Sequence, residues 1–173
     1  MQLLDSIAGC IALLSELEQM FLIKRIESPY PSIDVAVSPQ QMQFTSPVAD
    51  ALERMQFDEM AFAIFDSDLA VGFFTLRRSD SDVIEQLRCD TRLTLQSFMI
   101  DARQQGKGYA KKALDQLPFL SRQYFANIDS IGLSVNCRNQ AAYRLYEKNG
   151  FRDIGELYYG GSAGPQHIMI RDL

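Results

Sequence analysis

The chain is poor in cysteine, holds one histidine and has no long uncharged apolar run in its 173 residues. Cys10, Cys89 and Cys137 are far apart, odd in number and without a CxxC pair or a Cys/His cluster at zinc spacing. A disulfide framework or structural metal is therefore not expected, and reduced thiols are. No segment approaches the roughly 20 apolar residues of a membrane span. Ile7-Ala8-Gly9-Cys10 resembles a lipoprotein cleavage box only superficially, because no positive flank precedes it and Asp5 interrupts the apolar stretch. A cytoplasmic protein is the expectation. The phosphate loop GxxxxGK followed by Ser or Thr is absent, and Lys111 stands where GxGxxG needs its last glycine. Both absences argue against the common nucleotide folds.

What is present is ordinary for a globular protein: 47% hydrophobic and 23% charged residues, in a length suited to one domain. The expected organisation is a single domain over 1–173, with an additional helix at 1–19 before a core at 20–173. The net charge of -5 is unevenly spread, summing to -8 over the first hundred residues and +3 over the rest. That pattern lacks the strongly basic face of a nucleic-acid binder but permits an anionic ligand on the C-terminal part.

Leu3, Leu4, Ile7, Ile11, Leu14 and Leu17 recur at helical spacing. Met20–Ile26 reads as a strand stopped by Ser28-Pro29-Tyr30-Pro31. Ser38-Pro39 and Ser46-Pro47 each pair a capping serine with a proline at the first helical position, predicting two short helices, the second over Val48–Met55. Ala61–Phe65 and Ala70–Leu76 form a hairpin around Asp66-Ser67-Asp68, and Arg77–Asp90 is a loop. Arg92–Ile100 is a strand, followed by Gln105-Gly106-Lys107-Gly108-Tyr109-Ala110 and a helix that Pro118 should kink or break. Ile131–Val135 is a strand, Asn139–Asn149 a helix stopped by Gly150, and Phe151–Tyr159 with Gln166–Ile170 a closing strand pair. The order predicts an α+β fold: one mixed, mostly antiparallel sheet with helices on both faces. Strands 92–100 and 131–135 should be parallel neighbours joined by a crossover helix.

A strand running into a glycine-rich turn and then a helix gathers free N–H groups and the positive end of a helix dipole, which suits an anion. Gly106 and Gly108 permit close backbone approach, and Lys107, Lys111 and Lys112 add charge. Alone, two glycines in a tight turn fit equally well. About thirty residues later comes Asn139-Gln-Ala-Ala-Tyr-Arg-Leu-Tyr-Glu-Lys-Asn-Gly-Phe151. Together these segments resemble the GNAT superfamily of acetyl-CoA-dependent N-acetyltransferases. Gln105, Gly108 and Ala110 fit its loop signature Arg/Gln-x-x-Gly-x-Gly/Ala, and Asn139, Ala142, Tyr146, Gly150 and Phe151 fit NxxAxxxYxxxGF. Within the superfamily the chain looks most like bacterial spermine/spermidine acetyltransferases, through Ile33–Ser38, Gln41, Phe98–Asp101 and Gly155-Glu156-Leu157.

The resemblance implies the GNAT fold with the parallel pair splayed. It implies that backbone N–H groups of Gln105, Gly106, Lys107, Gly108, Tyr109 and Ala110 hold the pyrophosphate of acetyl-CoA, and that pantetheine lies along Phe98, Met99 and Ile100. Asn139 would bond the pantetheine arm or serve as helix cap, with Ala142 beside it. Tyr146 would be the general acid or a core aromatic. The acceptor implied is a small-molecule amine, polyamine first, a peptide or protein amine being the alternative and a non-catalytic CoA-binding domain the other. Gln96 stands where polyamine acetyltransferases often place a carboxylate and cannot act as a base. Glu156 and His167 are the remaining candidates, each equally readable as a surface residue. The acidic front half suits a polycation. No metal, nucleic acid or membrane partner is expected, and a homodimer through exposed strand edges stays open.

Overall fold

The computed structural model describes residues 21–78 and 87–173. The helix expected over 1–19 and much of the 77–90 connection lie outside them. Alternating apolar residues build seven strands: β1 Phe21–Ile26, β2 Glu59–Asp66, β3 Leu69–Arg78, β4 Arg92–Ile100, β5 Ser130–Asn136, β6 Arg152–Tyr158 and β7 Gln166–Asp172. They form one sheet in the order β1-β2-β3-β4-β5-β7-β6, antiparallel except for β4 against β5. Three helices are described: α1 Val48–Glu53, α2 Tyr109–Tyr124 and α3 Gln140–Lys148. Among the described residues no helix is long and apolar enough to cross a membrane.

Side-chain alternation sends Phe62, Ile64, Phe74, Leu76, Leu93, Leu95, Ile131 and Leu133 into a core with Ala113, Leu114 and Leu117 of α2. Ala61, Ala63, Phe73 and Met99 pack with Val48, Ala51 and Leu52 of α1 in a second core. Helices thus cover both faces, as expected. Gly150 at φ 85° stops α3, with Phe151 N–H returning to Tyr146 O at 3.1 Å.

Three expectations are corrected. Ser38-Pro39 starts a turn rather than a helix. The N–H groups of Gln41 and Met42 reach back to Ser38 O, the Gln41 side chain accepts from Ser38 N–H, and only a 3-10 turn at Met42–Phe44 follows before extended Thr45. At the second site Pro47 itself occupies the cap position, while Ser46 Oγ accepts from Arg54 Nη2 at 2.7 Å, and the helix ends at Glu53 rather than Met55.

Pro118 neither breaks nor divides α2, which runs unbroken from Tyr109 to Tyr124. A proline here removes the N–H that would bond the carbonyl of Leu114. That carbonyl instead accepts from Arg171 Nη1 of β7 at 2.8 Å. Arg171→Met should leave it unsatisfied in the core and lower stability by about 1–3 kcal/mol. Adding Pro118→Ala, which restores an intrahelical donor, should recover part of that loss. Urea unfolding of the four chains checks both, and a double variant no more stable than Arg171→Met would refute the pairing.

Candidate functional site

The sheet opens where its parallel pair ends. β4 and β5 pair only through Arg92–Thr94 with Ser130–Gly132. Past that point β5 stays paired to β7 through Asn136, while β4 stays paired to β3. The β3–β4 ladder holds Phe73 against Met99 and Thr75 against Gln96, so Ser97 and Phe98 together oppose Phe74. This is a β-bulge, with Ser97 at φ 50°, and it bends β4 away from β5. The gap is a cavity of about 430 Å³ between Thr94–Phe98 and Leu133–Asn136, with Tyr146 in its lining. Its rim comes from Gln43–Ser46 and Arg54 before β2, and from Gly161–Ala163 between β6 and β7.

Tyr146 is brought there by α3, which follows β5. Its ring is 8% exposed and lies against Phe98 (6.1 Å between centroids) and Phe151 (5.7 Å). Burial pushes the phenol above its ordinary pKa. Asn139 caps α3, accepting from Ala142 N–H at 3.2 Å through Oδ1, so the cap role is realised and Nδ2 is left to donate elsewhere.

The glycine-rich turn follows β4 at the same end of the sheet. Gly106 and Gly108 have φ 78° and 85°, and a β-carbon at either would meet nothing within 4 Å. The turn therefore presents bare backbone to open space. Gly108 is the N-cap of α2 without a side-chain cap, and the first helical bond runs from Lys112 N–H to Gly108 O at 3.1 Å. The N–H groups of Tyr109, Ala110 and Lys111 thus have no backbone partner. Lys107 bonds Gln104 Oε1 at 2.7 Å, Lys111 pairs with Asp115 at 2.6 Å, and Lys112 sits 5.5 Å over the Phe21 ring. The Tyr109 side chain turns away, its ring stacked on Phe21 and its hydroxyl donating to Asp66. Gln105 likewise uses its side chain to fasten the turn, donating to Ile100 O at 3.0 Å and to Gln41 Oε1 at 3.1 Å.

Beneath the turn lies Asp101, 1% exposed. Its carboxylate accepts from Ala36 N–H, Arg103 N–H and the Arg103 guanidinium at 2.8–3.0 Å. The Arg103 hydrogen bond, aided by the two amides, holds the carboxyl at about 2.

Glu156 and His167 do not line the cavity. Glu156 is exposed in the irregular stretch of β6 between Asp153 and Leu157. His167 Nδ1 lies 2.8 Å from Asp153 Oδ2, and its ring meets Tyr143 edge-on at 4.8 Å. Three contributors were not read from the sequence: the Ser97 bulge, the wall at Gln43–Ser46 with Arg54, and the Asp101 anchor. Only the last left a signal, an acid between strand and turn with Arg103 two residues on. No group of three or more potential metal ligands occurs among the described residues.

Residues 21–151 match the family model described as Acetyltransferase (GNAT) family. The uncharacterized N-acetyltransferase YbbJ of Bacillus subtilis is 40% identical over 112 residues, covering 65% of this chain and 69% of that protein. The spermine/spermidine N(1)-acetyltransferase of the same organism is 39% identical over 83 residues, so the chain matches about half (51%) of its length. Among solved structures, spermidine N-acetyltransferase from Vibrio cholerae in complex with CoA and spermine superimposes with a TM-score of 0.64 at 20% identity, over 88% of this chain and 95% of that one. An aminoglycoside acetyltransferase in complex with coenzyme A and kanamycin gives 0.69 at 18%, over 88% and 94%. At such identities the likeness is one of fold.

The Asp101 carboxylate makes the turn acid-sensitive. Above about pH 4 it is ionised in folded and unfolded chains alike and its contribution is complete; as pH falls toward 2 the unfolded chain takes up the proton first and that contribution is lost. Stability of the natural chain should therefore drop more steeply between about pH 4 and pH 2 than that of Asp101→Asn, which should also be less stable at neutral pH by roughly 1–3 kcal/mol. Parallel curves in denaturant titrations across that window would refute this role.

Proposed function

The chain belongs to the acetyltransferase (GNAT) family, and from that premise we propose that it moves the acetyl group of acetyl-CoA to a primary amine of a small molecule. The observation that carries this reading is the unpaired edge of β4, which opens onto the buried Tyr146 phenol and ends at the bare turn of Gln105–Ala110. The fit to CoA is chemical. Free N–H groups and exposed lysines at the turn suit a pyrophosphate, and an unpaired strand edge suits the amides of a pantetheine arm along Phe98–Ile100. Nδ2 of Asn139 is a further donor to that arm. Bound acetyl-CoA supplies an activated thioester.

A backbone N–H on the open β4 edge polarises the thioester carbonyl. The acceptor nitrogen bonds to the carbonyl carbon, the carbon–sulfur bond breaks, and Tyr146 gives its phenolic proton to the departing sulfur. Its raised pKa keeps that proton in place through neutral and mildly alkaline pH. The proton lost by the amine passes to water, because among the described residues no carboxylate lines the cavity and Gln96 cannot take it. Glu156 and His167 have no step in this scheme. The name of the spermine/spermidine acetyltransferase of Bacillus subtilis supports polyamines as one acceptor class to test, and the cytoplasm is the proposed setting.

Tyr146→Phe should lower acetyl transfer, followed by free-thiol release, by about 10²-fold or more while CoA affinity is kept. An unchanged rate would remove Tyr146 from the mechanism. Gly108→Trp places a large side chain on the turn and should weaken competition of CoA with acetyl-CoA at least tenfold; unchanged affinity would sink the cradle assignment. If thiol release with diamines, spermidine, amino acids and peptides never rises above blank, the chain is a CoA-binding domain without turnover.

A further inference from the structure

The acceptor side of the cavity is charged in a way the overall composition does not foretell. The first hundred residues are acidic on balance, yet among the described residues the lining holds no Asp or Glu, and its one charged side chain is Arg54. Arg54 is fixed by neutral partners only. Its Nε donates to Asp50 O at 2.9 Å and its Nη2 to Ser46 Oγ at 2.7 Å, which leaves further guanidinium donors free. No ion pair joins it to a carboxylate among the described residues. Asp50 and Glu53, on the same helix, stand outside the lining. Next to Ser46, Thr45 also lines the cavity, but its Oγ1 is shut off from solvent and so offers no donor to a molecule in the cleft.

Arg54 is thus the one positive, donor-rich point of the described lining, and the other polar residues there, among them Gln43, Gln96 and Ser162, are neutral. A polyamine would bring further ammonium groups toward a fixed guanidinium with no carboxylate in the described lining to offset them, which is unfavourable. A carboxylate meets the opposite case, a planar guanidinium with N–H groups left to donate to it.

We infer that the acceptor is a primary amine that also carries a carboxylate, an amino-acid-like zwitterion, and that Arg54 holds the carboxylate while the amine faces the thioester. This rests on the acetyl-transfer reading of the same cleft. Arg54 is a specificity residue in this account and takes no proton in the reaction.

The test compares kcat/KM by thiol release for amino acids, their C-terminal amides, and spermidine, using the full chain with acetyl-CoA. The natural chain should prefer an amino acid to its amide by about ten- to a hundredfold, the range of a charge-assisted contact. That preference should collapse in Arg54→Ala, chiefly through KM, recover partly in Arg54→Lys, and reverse toward spermidine in Arg54→Glu. Spermidine outrunning every amino acid in the natural chain, or equal losses for acid and amide in Arg54→Ala, would overturn the inference and leave the acetyltransferase reading standing. No thiol release with any amine would overturn both.

Discussion

Everything proposed for this protein depends on a hydrogen-bonding failure in the middle of its sheet. β4 and β5 are parallel neighbours for three residue pairs, after which each keeps its other partner and the ladder between them stops. An unpaired strand edge is usually a liability that folds keep short or cover. Here it is held open from both sides, by the Ser97–Phe98 bulge on β4 and by the full-length β5–β7 ladder. Because the two strands run the same way, the segments that leave them, the glycine-rich turn into α2 and Asn139 into α3, emerge at the same end of the sheet. Parallel topology thus places a bare helix start, an open backbone edge and a buried phenol around one gap.

The polar residues near that gap divide their work. Asp101, Arg103, Gln105 and Gln41 face inward to one another and to backbone, fastening the turn to β4 and to the segment before α1. Tyr109 does the same through Asp66. This leaves the turn's own amides, with the exposed lysines beside them, as its outward chemistry. A side chain in a signature motif is therefore not automatically a ligand contact: Gln105 and Tyr109 shape the turn with their side chains.

Strands, hairpin and the parallel pair were legible in the sequence because alternating apolar runs with turn residues between them leave little choice of register. The GNAT signatures were legible too, since their residues are close along the chain. What escaped depended on partners distant in sequence. Nothing in Ser38-Pro39 reveals that a glutamine three residues on would close the turn before a helix could form. Pro118 reads as a helix breaker until Arg171, 53 residues later, is seen to satisfy the freed carbonyl. Ser97 gives no sign of its positive φ. The acidic front half suggested an acidic acceptor wall, yet none of its described carboxylates lines the cavity, which receives Arg54 instead.

The Pro118–Arg171 arrangement also bears on how the fold is reached. Most helices close their hydrogen bonds locally, turn by turn, and can form before the rest of the chain arrives. α2 completes its set only in the assembled sheet: one of its central carbonyls takes its donor from β7, the strand that slots between β5 and β6. The helix beside the reactive gap and the last strand of the chain are thereby joined into one cooperative unit, so that local opening at β7 loosens the scaffold that carries the glycine-rich turn.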